Sequence, residues 1–128
     1  MARPVPSDYP VFYETYIKLV SEEDLVQTMR LSLVEIVDFL EGIAPDKAEY
    51  RYAEGKWSVK ELLQHIIDTE RIFSYRGLCF ARGEQQSLPG FDENAYAQHA
   101  DVSGKTLKDL KEELLIVRES VFMLYRGF

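Results

Sequence analysis

The chain has 128 residues, of which 46% are apolar and 29% charged, enough to bury a core as one domain and too apolar for a disordered segment. Fifteen basic against twenty-two acidic side chains leave a net charge of −7, so neither nucleic acid nor an anionic membrane is an expected partner. A single cysteine, Cys79, excludes an internal disulfide framework and any CxxC site.

Met1-Ala2-Arg3-Pro4 opens the chain without an apolar run behind its basic residue, and no stretch approaches the ~20 apolar residues that span a bilayer. The expected address is therefore the cytoplasm. Pro4, Pro6 and Pro10 predict an extended start, followed by a short helix from about Ser7. Tyr9, Phe12, Tyr13, Tyr16, Ile17 and Val20 recur at spacings of three and four there, as a packed face would. A first long helix is predicted from Ser21, where Ser21 and Asp24 approximate a capping box. Its apolar stripe is Leu25, Met29, Leu33, Ile36 and Leu40, and Gly42 stops it before a turn at Pro45-Asp46.

The strongest start signal is Ser58-Val59-Lys60-Glu61, a Ser-x-x-Glu box predicting a helix to about Arg82 with Gly83 as its stop. On a helical wheel Leu62, Ile66, Phe73 and Phe80 fall near the centre of its apolar face, joined by Val59, Leu63 and Gly77. Ile67 and Leu78 widen that arc, so the helix is expected to touch more than one neighbour. Residues 83–105 are rich in Gly, Gln, Ser, Asn and Asp and predict a long irregular connection. A last helix is predicted from Thr106. Leu107, Leu110, Leu114, Val117, Val121 and Leu124 form a heptad seam suited to antiparallel packing. No alternating strand pattern occurs. The expected fold is all-α, a single antiparallel helix bundle over residues 1–128.

Few residues carry candidate chemistry. His65 sits on the rim of the second long helix's apolar face, beside Thr69, Ile72 and Arg76. There an imidazole can bind a divalent transition metal or simply hydrogen-bond a neighbour. Glu61 and His65 are four residues apart, but the pair occurs once and Glu61 already serves the cap, which rejects a di-iron carboxylate site. Glu70 falls within the apolar arc and needs an arginine from another helix or subunit, unless it reaches water at the edge. Arg71, Arg76 and Arg82 could hold an anionic group or be solvated. Cys79 reads as a small hydrophobe. His99 reaches the histidine helix only if its loop folds over it.

The residues from Tyr52 to Arg71 resemble the second-helix signature of the DinB/YfiT-like superfamily: Trp57 and a capping Ser58 open a helix carrying His65, followed by Asp68-x-Glu70. Leu88-Pro89-Gly90-Phe91-Asp92-Glu93-Asn94-Ala95-Tyr96 and Tyr13-Glu14-Thr15-Tyr16-Ile17 resemble segments of one branch of it. The resemblance implies a four-helix bundle, often dimeric, that binds nickel, zinc or a related divalent ion. Its implied activities are metal-dependent hydrolysis or transfer to low-molecular-weight thiols. The family's metal ligands are a histidine on the second helix, matched by His65, and an H-x-x-x-H pair on the last helix, which has no counterpart in this sequence. The expectation is thus a bundle lacking its C-terminal ligand helix, with an incomplete metal site. Tyr16, Thr69, Arg76, Phe91 and Tyr96 are the candidate walls of a small-molecule pocket. A bundle short of one helix exposes an apolar groove, so a homodimer is expected. The alternative is a non-catalytic helical module acting through self-association or partner binding.

Overall fold

A computed structural model describes residues 3–20 and 24–128, and all regular structure among them is helical. A 3-10 turn (Val11–Tyr13) leads into a one-turn helix α1 (Glu14–Ile17). The long helices are α2 (Leu25–Glu41), α3 (Val59–Ala81) and α5 (Leu107–Arg126), and a short α4 (Glu93–His99) lies between the last two.

The helix ends follow local chemistry. Asp24 caps α2, its carboxylate accepting from the amides of Val26 and Gln27 at 2.8 and 3.2 Å. The expected role of Ser21 in that cap lies outside the described residues. Ser58 and Glu61 form the complete reciprocal box at the start of α3, and Thr106 with Asp109 does the same for α5. Gly83, at φ +76°, closes α3 in the left-handed conformation. The Glu84 amide donates to the Cys79 carbonyl and the Gly83 amide to that of Phe80, which satisfies two carbonyls the helix end would otherwise leave open.

Within the expected irregular connection, Glu93–His99 is in fact helical. The Asp92 carboxylate accepts from the Asn94 and Ala95 amides, and the helix packs on α3. Seven residues are too few to hold a helix alone, so docking supplies what propensity cannot.

The pairing of helices departs from the expected direction in one place. Lys111 of α5 reaches the carbonyl of Ile43, while Arg118 reaches Ser32 and Arg30 stacks on Phe122, so α2 and α5 run antiparallel. Lys105 reaches Gln64, Arg71 reaches Glu113 and Tyr125 lies over Gly77, so α3 and α5 run parallel. The connection through α4 is the crossover that allows this; a heptad seam itself is the same in either direction. Helix α5 packs along both α2 and α3, which share no comparably extended contact with each other. The arrangement is three corners of a square, with α5 between its neighbours and an open groove across from it.

The core gathers Leu40, Leu63, Ile67 and the α5 seam from Leu107 to Val121. The face of α3 that is buried is not the one centred on Leu62. Leu62, Phe73 and Phe80 are 46%, 52% and 68% exposed, whereas Lys60, Leu63, Gln64 and Ile67 are buried. Lys60 is tolerated because its ammonium pairs with Glu49 at 2.7 Å, and Gln64 because it accepts from Lys105 and donates to Asp68. The aromatic stripe near the N-terminus is likewise exposed at Phe12, Tyr13 and Tyr16 rather than packed on the bundle.

Candidate functional site

The open side of the bundle holds a groove of about 390 Å³. Leu25 and Met29 of α2 form one wall, His65, Ile66, Thr69 and Phe73 of α3 the other, and Arg118, Val121 and Tyr125 of α5 the floor. The i, i+4 spacing of His65 and Thr69 puts both on the same wall, one turn apart. The His65 ring is half-buried and packs against the Trp57 indole, with centroids 4.8 Å apart and planes at 44°. Trp57 directly precedes the capping Ser58, so the same local structure that starts α3 brings the indole against the imidazole.

Glu70 finds the arginine that its position calls for. Arg118 of α5 pairs with it and also donates to the Ser32 hydroxyl of α2 at 2.5 Å, tying all three long helices together across the groove. Among the described residues, the buried Thr69 hydroxyl and Arg118 Nε find no partner. Burial and the nearby Glu70 charge push the Tyr125 phenol up from its ordinary value. Its hydroxyl end rests directly on Gly77, which explains the absence of a side chain there.

The donors for a metal ion do not converge. Glu61, one turn from His65, is held by Arg51 at 2.6 and 3.0 Å and by the Ser58 amide at 2.6 Å. The Arg51 guanidinium, with the Ser58 amide, holds its carboxyl below the usual value. Glu70 is engaged by Arg118. His99 is exposed at the end of α4, its Nδ1 2.7 Å from the Ala95 carbonyl, and lines no part of the groove. Among the described residues no three His, Cys, Asp or Glu side chains form a metal-holding group. Among the described residues of the groove, His65 is the one donor left open as a ligand, so these residues do not by themselves fit a divalent ion.

The expected pocket walls separate in space. Thr69 shares the groove with His65. Arg76, Phe91 and Tyr96 do come together, but around a different cavity on the α4 side of α3. Tyr16 lines neither; α1 packs on its own 3-10 turn, where Tyr16 sits against Phe12. Cys79 is half-buried and close to the Tyr75 hydroxyl, which it raises in pKa. The sequence reasoning missed Arg118, Ser32 and Tyr125. The one available signal was Arg118 itself, a cation set between seam residues Val117 and Val121.

Fold and groove together define an all-helical bundle with a half-buried histidine on an open inner wall. The DinB superfamily profile matches residues 29–128, and the chain belongs to that superfamily. No curated protein and no solved structure matches it. No helix among the described residues is long and apolar enough to cross a membrane.

Proposed function

We propose that this is a divalent-metal-binding protein of the DinB type, a hydrolase or low-molecular-weight-thiol transferase acting on a small molecule. His65 is the ligand that residues 1–128 contribute, and the remaining donors enter through the open corner opposite α5. The observation carrying this reading is the placement of His65: half-buried, packed on Trp57, and lining an open groove of about 390 Å³. Nickel or zinc suits an imidazole site. A second copy of the chain is the simplest source of an added element, which makes a homodimer part of the proposal.

Metal analysis of the native protein tests it. About one nickel or zinc per chain is expected, lost in His65→Ala while the helical circular dichroism is retained. Equal metal content in wild type and variant would remove His65 from the site.

A second reading has its own support. Leu62, Phe73 and Phe80 leave an apolar stripe exposed on α3, and Val34 and Phe39 do so on α2, as a non-catalytic association module would. Sedimentation distinguishes the two: this reading expects an assembly that persists in His65→Ala without metal.

A further inference from the structure

Arg76 is a half-buried guanidinium without a carboxylate partner among the described residues, whereas Arg118, the other half-buried arginine, has Glu70. Its guanidinium carbon lies 5.6 and 5.7 Å from the ring centroids of Phe73 and Phe91, within cation–π range of both. A guanidinium carries five N–H donors, and the one hydrogen bond Arg76 makes among the described residues is to the Pro89 carbonyl, at 2.8 Å. Its other N–H groups have no partner among the described residues, and a guanidinium with free N–H groups is what a carboxylate grips.

The cavity beside it has a volume of about 360 Å³ and is walled by Ile72, Tyr75, Phe91 and Tyr96, with Arg71 at its margin. Among the described residues no carboxylate lines it, in a chain whose net charge is −7. Arg71 is already neutralised by Glu113 at 2.8 Å and by Asp68, which leaves Arg76 as the uncompensated charge. Phe91 and Tyr96 pack on each other at 5.3 Å, so the loop and α4 present an aromatic wall opposite α3.

We propose that this cavity binds a small aromatic carboxylate. Arg76 takes the carboxylate edge-on, while Ile72, Tyr75 and Phe91 enclose the ring. The volume lies at the lower end of small-molecule pockets and suits a single-ring acid. A tetrahedral anion would satisfy Arg76 but make no use of the walls. The two cavities have no lining residue in common, although Phe73 beside Arg76 also lines the His65 groove, and the assignment requires no metal.

Titration of the ¹⁵N-labelled protein with benzoate in the presence of EDTA tests the assignment without involving metal. Benzoate is expected to shift the amides of Ile72, Arg76, Phe91 and Tyr96 saturably, and benzyl alcohol, its uncharged counterpart, is not. Arg76→Gln removes a charge-assisted contact and should weaken benzoate at least about tenfold. Because that change also loses the bond to Pro89, Tyr75→Ala serves as a second variant. It leaves the loop clamp in place, visible as unchanged amide shifts at 88–91, and should weaken benzoate several-fold. No saturable shift up to about 10 mM benzoate, or unchanged affinity in Arg76→Gln, overturns the site. Inorganic phosphate acting on the same amides as strongly as benzoate overturns its aromatic selectivity.

Discussion

Removing Glu70 tests whether the groove floor holds the bundle together. In Glu70→Gln the carboxylate becomes a neutral amide of the same shape, and Arg118 keeps its charge in a site where only 22% of its side chain is exposed. Breaking a fully buried pair from one side costs about 3–5 kcal/mol, and an exposed pair is worth about 0.2–1 kcal/mol. With Glu70 19% exposed and Arg118 still bonded to Ser32, a loss of about 2 kcal/mol follows for this mostly buried case. For a domain of this size that lowers Tm by about 7 °C. Arg118→Met should cost a similar amount by stranding Glu70. The double variant, with neither charge left behind, should lose clearly less than the two together, giving a coupling energy of about 1–2 kcal/mol in urea unfolding. Strict additivity within about 0.3 kcal/mol would show that the two side chains do not support each other. It would also return Glu70 to the set of carboxylates free to meet a ligand.

Gly77→Ala places a methyl group against the end of Tyr125, with ring Cζ at 2.8 Å. Overpacking of about 1–3 kcal/mol should outweigh the gain of about 1 kcal/mol in helix propensity, so the variant is destabilised. In a Tyr125→Ala background the same change should become stabilising; an unchanged sign would place the Tyr125 ring elsewhere. Acid should weaken the fold through Glu113 and Glu61, whose carboxyls are depressed chiefly by Lys105 and by Arg51, respectively. A depressed carboxyl stabilises above its unfolded pKa of about 4.3, and that contribution disappears as pH falls through the folded value. Urea midpoints should therefore drop as pH falls below about 4.3, and drop less steeply in Glu113→Gln. An identical slope in that variant would remove Glu113 from the linkage.

The parts of the fold legible in the sequence are those fixed within a few residues of each other. Ser58 and Glu61 announce α3 because both halves of the cap lie three residues apart, and Gly83 ends it because only a left-handed residue closes that turn. The α5 seam from Leu107 to Val121 is buried as its spacing requires. Long-range facts were not local. The apolar residues of α3 spread around too wide an arc for one wheel to say which part faces α5, and the buried side includes Lys60 and Gln64, whose partners Glu49 and Lys105 come from loops. Helix α4 carried its cap in Asp92 but lacked the length for a periodic signal. The direction of α3 against α5 left its trace only in the length of the connection. In the site, His65 and Thr69 were joined by helical spacing alone. The grouping of Arg76 with Phe91 and Tyr96 needed the crossover to fold back, and Tyr16 had no such tether.

The chemistry of the groove bears on what fills it. Its rim is apolar, with Leu25, Met29, Ile66 and Phe73, and would accept any amphipathic helix. The Thr69 hydroxyl and Arg118 Nε are already closed off from solvent, so an occupant changes nothing for them. The half-buried His65 ring is different: a purely hydrocarbon occupant would cover it without offering either nitrogen a bond, at about 1–3 kcal/mol for a stranded polar group. An occupant bearing a polar group or a metal ion opposite the imidazole avoids that cost. That asymmetry between the apolar rim and the imidazole supports the ligand-binding reading over the purely associative one.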